Sequence, residues 1–469
     1  FKQKTAYEIS LGLVGSEMCI RDRAYSIFDV GAYLGAGPNS GVGHGLGAYN
    51  IPNFRLRSFG VYTNKIYVGS YRASGVADMT FAVESHTDSI ARQMGIDPWE
   101  FRMQNAIKEG DISVSGARMP KNGLLETLHA IKDNFELTKK SSEDRGIGIA
   151  VCEWRSGSGP STASISVNED GTVSLLTGSV DISGSDTSLA AIAAETLGLT
   201  LDEVIVAKRD TDLAPFTGPS GGSRIVYSQG TAVHRAAEIV RGRMYELAAE
   251  RLGVQSDALA LSGGRIYIED DPNQGVSFKQ LGALSVNSRG GPIIGTASLS
   301  NMPYDPVFST QAAEVIVDRA TGQVKVTRYM QAQDVGVAIN PMSVEGQLEG
   351  GVVQGIGRAL TEDMQLDAET GAVRTSSLST YLMPLAVDLP TIENVLVKVP
   401  SSDGPFGARA VAEPPGFGPP AAIANAIFDA VGVRVRELPL SGERVLSALQ
   451  GESSEIRLDL DTLKKSEGI

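Results

Sequence analysis

Apolar residues recur at helical spacing early in the chain and predict two consecutive helices. The first is expected over residues 76–94 and ends at Gly95, because four apolar side chains fall on one face: Met79, Val83, Ile90 and Met94. The run Asp97-Pro98-Trp99-Glu100 places an N-cap acid, a proline and a third-position glutamate in order, which predicts the start of the second helix. Residues 24–63 are expected to form loops and short strands around a glycine cluster at 41–47.

A polar, charged stretch at 111–145 predicts a domain boundary, and beyond it strand and helix patterns alternate. Period-two valines on either side of Thr321-Gly322 predict a hairpin over 314–329. The remaining elements are predicted as strands at 171–178 and 202–208 and helices at 187–198, 227–252, 421–431 and 441–449. The pattern as a whole predicts a mixed α/β (α+β) chain with at least two domains.

Composition excludes several classes of protein. The chain has 469 residues, and 41 basic against 55 acidic side chains give a net charge of −14, which argues against a nucleic-acid surface. No apolar run is long enough to predict a membrane span. Two cysteines and four histidines exclude a disulfide scaffold and a four-cysteine zinc site, and they make a histidine metal site improbable. They also exclude a cysteine-ligated iron–sulfur cluster held by this chain alone.

The two ends of the chain are treated separately. Residues 1–23 lack the pattern of a secretion signal and resemble translated sequencing-adapter DNA, so we expect them to be foreign to the protein. The chain from Ala24 is then expected to be part of a longer protein whose start is missing. Residues 451–469 are expected to form a charged, frayed tail.

Glycine is in excess, at 53 residues, and glycine-rich loops can bring backbone N–H groups to a phosphate. The candidate loops are 41–47, 183–187, 218–224 and 404–407. None continues as a phosphate-binding Walker loop, and Pro52 interrupts the dinucleotide-like spacing of 43–48. The 183–187 loop lies between a predicted strand and helix, where an anion would be favoured. Any one of these loops alone is better explained as a tight turn, but together they favour a large phosphate-bearing ligand.

Glu413 stands out among the acids because alanine, valine and paired prolines surround it. Burial there would raise the pKa of its carboxyl group, as a general base requires. Two structural roles remain open: Glu413 could cap the helix that starts near Pro419, or it could pair with Arg409.

Three stretches together resemble the molybdenum-binding large subunit of the xanthine dehydrogenase and aldehyde oxidase family. They are Tyr62–Asp111, Asp334–Asp363 and Gly404–Leu446, and the resemblance extends over residues 24–450. It implies two successive molybdopterin-binding domains, a truncated first one at 24–125 and a second one at 126–450.

The resemblance implies that a pterin dithiolene holds the molybdenum, so no protein side chain is expected as a metal ligand. The cytosine dinucleotide form of molybdopterin is one form that the cofactor could take. Glycine-rich loops would grip it at 181–187, 220–224 and 346–351. The implied contacts are Gly184, Ser185, Asp186, Thr187, Gly221, Gly222, Ser223, Gln347, Gly407 and Ala408.

The resemblance also assigns catalytic roles. Glu413 would be the general base acting on a water-derived oxygen, and Arg72 would orient a carbonyl or carboxylate of the substrate, unless it forms a structural ion pair. Trp154 and Phe216 could line a pocket for a planar substrate, although core packing is the better interpretation of both. The implied reaction is hydroxylation of an aldehyde, an N-heterocycle or a purine; the alternative is an inactive cofactor-binding paralogue or scaffold subunit.

Electron transfer implies partners, because neither FAD nor an iron–sulfur cluster is expected in this chain. We expect a hetero-oligomer with a [2Fe–2S] subunit, and an FAD subunit is a further candidate. A cytoplasmic location is expected, with a periplasmic one left open. Three departures from the family pattern are the 183–187 loop without its Gly-Gln-Gly, Arg209 in place of a glycine, and Ala73 in place of the copper-binding cysteine of carbon monoxide dehydrogenases.

Overall fold

The structure is a computed structural model, and it describes residues 22–135, 144–207, 210–288, 290–367 and 369–452. Of the predicted foreign segment 1–23, only Asp22 and Arg23 are among these residues, where they begin a strand. Arg209 and all of the predicted tail beyond Glu452 lie outside the described residues.

The strands of the described ranges are numbered in chain order. They are β1 (Asp22–Gly31), β2 (Phe54–Tyr62), β3 (Arg145–Arg155), β4 (Ser161–Val167), β5 (Val173–Thr177), β6 (Val204–Val206), β7 (Leu259–Ser262), β8 (Arg265–Ile268), β9 (Asp271–Ser277), β10 (Ile294–Leu299), β11 (Pro306–Val317), β12 (Val324–Asp334) and β13 (Thr391–Val397).

The helices are numbered in the same way. They are α1 (Gly37–His44), α2 (Val76–Gln93), α3 (Pro98–Asn105), α4 (Leu124–Asn134), α5 (Ser185–Leu197), α6 (Gly230–Leu252), α7 (Phe278–Val286), α8 (Pro341–Leu360), α9 (Pro419–Val431) and α10 (Gly442–Leu449). Within the described ranges, no helix has the length and apolar character that crossing a membrane requires.

The strands form four sheets. The central sheet has the order β13-β12-β11-β3, in which β12 and β13 are parallel and the other neighbours antiparallel. A second four-stranded sheet has the order β10-β4-β5-β6, and its apolar face packs on α5 and α6. A parallel pair, β1-β2, and a small sheet, β7-β8-β9, complete the fold.

Helix α9 lies directly on the central sheet because two glycines of β3 remove the side chains that would separate them. A Cβ atom at Gly146 would approach the Ala426 carbonyl oxygen to 2.2 Å, and one at Gly148 would approach the Ala422 carbonyl oxygen to 2.2 Å. Both partners belong to an alanine-rich helix, so backbone packs against backbone. This close packing fixes the start of α9, and with it the loop that carries Glu413.

The two regions predicted as separate domains share one hydrophobic cluster. It joins Met79 and Trp99 of the first region to Leu128 of α4 and to Phe308 and Met330 of the central sheet. Helix α4 lies inside the polar segment that we predicted as a boundary, because its Leu124, Thr127, Leu128 and Ile131 face this cluster while the opposite side stays polar.

Most predicted elements are confirmed. Helices α2 and α3 match their predictions, and the Asp97 side chain accepts hydrogen bonds from the Trp99 and Glu100 N–H groups as an N-cap. The hairpin is also confirmed and extends into the longer strands β11 and β12, with Gly322 at a φ of +73°.

The prediction of loops and short strands over 24–63 is wrong. This region contains two strands of 10 and 9 residues, and helix α1 includes the first half of the glycine cluster. The glycines serve packing, because a Cβ atom at Gly45 would approach the Met79 side chain of α2 to 2.7 Å. Helix α1 therefore lies close to α2.

Candidate active site

Glu413 lies in a loop whose backbone is hydrogen-bonded to side chains of the central sheet. The buried Gln311 of β11 donates a hydrogen bond to the Pro414 carbonyl oxygen at 2.9 Å, and Gln333 of β12 donates to the Val411 carbonyl oxygen at 2.8 Å. Tyr329 in turn donates to Gln311. A row of buried polar side chains thus fixes the backbone on both sides of Glu413.

The carboxyl group of Glu413 is buried, with only 8% of the residue exposed, and its Oε2 atom has no hydrogen-bond partner. Burial raises the pKa of Glu413 to about 7, while the Arg72 charge and backbone hydrogen bonds from Gly222 and Ser223 act in the opposite direction. The open structural roles do not occur: the helix that starts at Pro419 has Gly418 as its N-cap and no side-chain cap, and Arg409 pairs with Asp305 and Asp334. A carboxyl group in this state can accept a proton near neutral pH.

The loop at 218–224 meets Glu413 through its backbone and one hydroxyl group. Ser223 Oγ accepts a hydrogen bond from the Glu413 N–H group at 3.1 Å. Gly222 and Ser223 both have left-handed backbones, with φ of +69° and +57°. A Cβ atom at Gly221 or Gly222 would meet no atom within 4 Å, so this backbone faces open space.

Arg72 is hydrogen-bonded to the loop that carries Glu413. Its Nε atom donates to the carbonyl oxygen of Ala412 at 2.5 Å, next to Glu413. One terminal nitrogen donates to the Gln347 carbonyl oxygen at 3.0 Å, and the other donates to Gln354 Oε1 at 3.1 Å. These neutral partners hold the guanidinium group in place, and the acid that it faces is Glu413.

Gln347 connects Arg72 to a third predicted loop. Its side-chain nitrogen donates to Ser183 Oγ at 2.9 Å, and its Oε1 atom lies 3.4 Å from the Arg72 terminal nitrogen. The prediction of a glycine-rich loop at 346–351 is wrong, because these residues belong to helix α8. That helix starts at the N-cap Asn340, and its glycines allow close packing: a Cβ atom at Gly351 would approach the Pro415 side chain to 2.4 Å.

The start of α5 differs from a simple anion site. Gly184 is the N-cap with a left-handed backbone, and Ser185 and Asp186 open the helix, followed by the exposed Thr187. The Asp186 N–H group donates to the Asp181 carboxylate at 3.1 Å, so a protein acid already accepts a hydrogen bond at this helix end. A second anion there would meet repulsion from Asp181.

Gly407 and Ala408 are buried, and their hydrogen bonds remain inside the protein. Their N–H groups donate to the Gly404 and Pro405 carbonyl oxygens, both at 3.0 Å. The Gly407 carbonyl oxygen accepts from Val337. Among the hydrogen bonds of the described residues, none joins Gly407 or Ala408 to Glu413, Arg72, Ser223 or Gln347.

The two candidate substrate-pocket aromatics separate. Trp154 is buried in β3 and donates its indole N–H to the Gly222 carbonyl oxygen at 3.3 Å. It is therefore linked to Glu413 indirectly, through the 218–224 loop. Phe216 is 73% exposed, so core packing does not describe it.

Sequence reasoning missed four residues of this site: Gln311, Gln333, Gln354 and Arg224. Gln311 and Gln333 carried a usable signal, because polar residues facing the interior of otherwise apolar strands need hydrogen-bond partners. Gln354 lies in helix α8 and carried no such signal. Arg224 carried none, since one arginine in a glycine-rich loop reads as a surface charge. In the structure it is buried and donates to the Pro160 carbonyl oxygen at 2.5 Å and to Ser161 Oγ at 2.8 Å.

These residues fit the cofactor that the sequence implied. Three features at the 218–224 loop leave groups open to a ligand. They are the unpartnered Oε2 of Glu413, the bare backbone at Gly221 and Gly222, and the unpartnered Ser220 Oγ. Arg224 adds a buried positive charge whose described hydrogen bonds run to carbonyl and hydroxyl oxygens, which suits a nearby phosphate. Within the described ranges, no three His, Cys, Asp or Glu side chains are grouped to hold a metal ion.

Comparison with known proteins agrees with this arrangement. Residues 125–390 match the model of a molybdopterin cofactor-binding domain, and residues 9–106 match a second model with that description. The xanthine dehydrogenase molybdenum-binding subunit of Escherichia coli O157:H7 is 33% identical over 439 residues, which cover 89% of this chain and 58% of the relative. The aldehyde oxidoreductase of Megalodesulfovibrio gigas is 31% identical over 417 residues, covering 86% of this chain and 44% of the relative.

The fold is shared with solved structures as well. Quinoline 2-oxidoreductase from Pseudomonas putida 86 superposes with a TM-score of 0.85 at 26% identity, covering 92% of this chain and 60% of that one. The chain thus spans about three fifths of the length of such relatives, or less. With two matching domain models and this shared fold, the chain belongs to the molybdopterin-binding large subunits of the molybdenum hydroxylases, the family of xanthine dehydrogenase and aldehyde oxidoreductase.

Proposed function

We propose that this chain carries the catalytic site of a molybdenum hydroxylase that oxidises an aldehyde or an N-heterocycle with water as the oxygen source. The single observation that carries this proposal is the buried Glu413 carboxyl group, whose pKa burial raises to about 7 and whose Oε2 atom lacks a partner. Burial of such a group lowers the stability of the fold, and a catalytic function would account for its presence. A general base needs this protonation behaviour.

The cofactor would supply the redox chemistry, because its metal accepts the electrons taken from the substrate. The backbone of Gly221 and Gly222 and the charge of Arg224 would hold its phosphate-bearing part. Gln347 would contact it from α8, and Gly184, Ser185, Asp186 and Thr187 would border it at the start of α5.

The protein's own part is proton transfer. Glu413 takes a proton at Oε2 from the attacking oxygen as a carbon–oxygen bond forms on the substrate. The hydrogen on that carbon leaves with the bonding electron pair, which the cofactor would accept. Arg72 donates a hydrogen bond to the Ala412 carbonyl oxygen and so orients Glu413. Its positive charge lowers the pKa of Glu413, which lets the carboxyl group release its proton again after each turnover. Glu413 itself is only 8% exposed, and low exposure to water strengthens both effects.

Electrons leave the site after each turnover, and we propose that they pass to a separate [2Fe–2S] subunit and onward to an FAD subunit. The two cysteines of the chain are too few to ligate such a cluster. The relatives include proteins named as the gamma subunit of a 6-hydroxypseudooxynicotine dehydrogenase complex and as the large subunit of nicotine 6-hydroxylase. Cluster iron at one equivalent per chain in the isolated protein would contradict this proposal.

The test is to purify the chain from a host that makes molybdopterin and to measure molybdenum and pterin per chain. Turnover is then assayed with xanthine, an aromatic aldehyde and quinoline, with a dye as electron acceptor and ¹⁸O-labelled water. We expect stoichiometric molybdenum and labelled product from at least one substrate. A folded chain that holds no pterin, or pterin-loaded chain whose product oxygen does not come from water, would overturn the proposal.

Glu413→Gln separates the general base from mere cofactor binding. We expect this variant to keep its molybdenum and to lose about 10²- to 10⁴-fold in kcat. Glu393→Gln is the control, because Glu393 forms a half-exposed ion pair with Arg328. Unchanged turnover in Glu413→Gln would favour a binding role for this residue.

A further inference from the structure

The backbone that surrounds Glu413 is held in a conformation that costs energy. Gly222 and Ser223 are consecutive left-handed residues, and for a serine this region is sterically unfavourable. Relaxation of either residue would move the N–H groups that they direct at Glu413 and the hydroxyl group that Ser223 offers to the Glu413 N–H group. Something outside the loop must therefore impose this conformation.

Trp154 is placed to do so. Its indole N–H group donates to the Gly222 carbonyl oxygen at 3.3 Å. The segment that follows β3 also leaves room for this contact at Gly157, where a Cβ atom would approach the same Gly222 oxygen to 2.3 Å. The carbonyl oxygen is thus enclosed by β3 and the residues that follow it, and its hydrogen-bond donor is Trp154.

The position of the indole ring is itself fixed by its neighbours. It stacks on the imidazole ring of His44 at the end of α1, with ring centroids 4.9 Å apart and planes 20° apart. His44 Nδ1 lies 2.7 Å from Glu153 Oε2, and Tyr304 donates to the other oxygen of Glu153 at 3.2 Å. Because a carboxylate only accepts hydrogen bonds, His44 carries its hydrogen on Nδ1. Both rings are therefore fixed by buried partners.

We propose that Trp154, braced by His44, is a positioning residue that imposes the left-handed Gly222-Ser223 backbone and thereby holds the groups that orient Glu413. Helix α1, which belongs to the first family match, thus supports a loop of the second. The role of the loop in catalysis rests on the proposed function, whereas the mechanical coupling does not. Trp154 acts here through the loop and does not line a substrate pocket.

The test compares two tryptophans in the full chain. Trp154→Phe keeps an aromatic ring on His44 and removes the indole N–H group. Trp99→Phe is the matched control, because Trp99 is also 8% exposed and its indole also donates to a backbone carbonyl oxygen, that of Leu128 at 2.8 Å. Hydrogen exchange is followed by mass spectrometry in the peptide that contains residues 218–226, at equal protein stability set by a low urea concentration.

We expect exchange in this peptide to rise about fivefold in Trp154→Phe, as for the loss of one buried hydrogen bond, and to stay unchanged in Trp99→Phe. In cofactor-loaded protein, kcat should fall by a similar factor while KM stays within about twofold. Unchanged exchange at 218–226 in Trp154→Phe would overturn the positioning role. A raised KM with unchanged kcat would show instead that Trp154 contacts substrate.

The two proposals fail separately. If the chain holds no pterin but Trp154→Phe still loosens the 218–226 peptide, the proposed function fails and the positioning role stands. If turnover is confirmed and exchange does not change, the positioning role fails and the proposed function stands. His44→Phe offers a second measurement, because it keeps a ring under Trp154 and should preserve slow exchange, whereas His44→Ala should not.

Discussion

The Glu413 N–H group donates a hydrogen bond to the Ser223 hydroxyl group across 190 residues of chain, at 3.1 Å. This bond joins the loop before α9 to the glycine-rich loop before α6. Because the same two residues also interact through the Ser223 N–H group and the Glu413 carboxyl group, a change in either loop alters both the position and the proton affinity of the carboxyl group.

The stability of the chain should depend on pH through Glu413. Below a pH of about 4.5 the carboxyl group is protonated in both states, and between 4.5 and about 7 only the unfolded chain loses its proton. Wild-type stability therefore falls as pH rises through this window, because the folded pKa is raised. Between pH 5 and pH 8 the difference in stability between Glu413→Gln and wild type should therefore shift in favour of the variant by about 2–3 kcal/mol.

Urea unfolding at several pH values measures this difference. Glu393→Gln is the control, because it makes the same substitution at a side chain that is 35% exposed and paired with Arg328. A constant difference between Glu413→Gln and wild type across the whole range would contradict the buried, proton-binding state of Glu413.

Turnover should depend on pH with the opposite sign. A general base works only when deprotonated, so kcat/KM should rise with pH to a plateau above about 7. Arg72→Gln removes the positive charge that lowers the pKa of Glu413, so the rise should move to higher pH. A pH-rate profile measures both effects, with Arg319→Gln at an exposed ion pair as the control. A rise at lower pH in Arg72→Gln would refute this electrostatic role.

Backbone strain in the 218–224 loop can be tested with two neighbouring glycines. A Cβ atom meets no atom within 4 Å at either Gly221 or Gly222, but only Gly222 has a left-handed backbone, at φ +69°. Gly222→Ala should therefore cost about 1–2 kcal/mol in free energy of unfolding, and Gly221→Ala close to none. Equal losses would mean that space, and not backbone conformation, governs the loop.

A buried ion pair should govern the stability of the first region. Arg102 is fully buried and bonds Glu84 at 2.9 Å, and Glu84 also accepts from Tyr49 and from the Val151 N–H group of β3. Arg102→Met leaves an uncompensated buried carboxylate and should cost about 3–5 kcal/mol in free energy of unfolding.

The exposed pair of Arg319 and Asp144 is the comparison, with side chains 50% and 45% exposed. Removal of Arg319 should cost less than about 1 kcal/mol. Chemical denaturation of both variants at one pH provides the measurement, and similar losses would show that burial does not separate these pairs.

Local patterns in the sequence determined the hairpin, helices such as α2 and α3, and the unusual setting of Glu413, whereas Arg72, Ser223 and Gln347 became candidates only through the family resemblance. These features depend on residues close together in the chain, such as the Asp97 N-cap and the valines around Gly322. Glycine was the systematic source of error. At 41–47 and 346–351 it predicted loops, whereas the structure has α1 and α8, because glycine also lets two helices, or a helix and a proline, approach closely.

The tertiary structure alone decided what holds the site together. Gln311, Gln333, Gln354 and Trp154 act on residues at least 68 positions away in the sequence, and no local pattern reports such a contact. The choice between a base and an ion pair for Glu413 was likewise open in the sequence. The structure rules out the ion pair, because Arg409 pairs with Asp305 and Asp334. The raised pKa of Glu413, which follows from its surroundings in space, supports the base role that we propose.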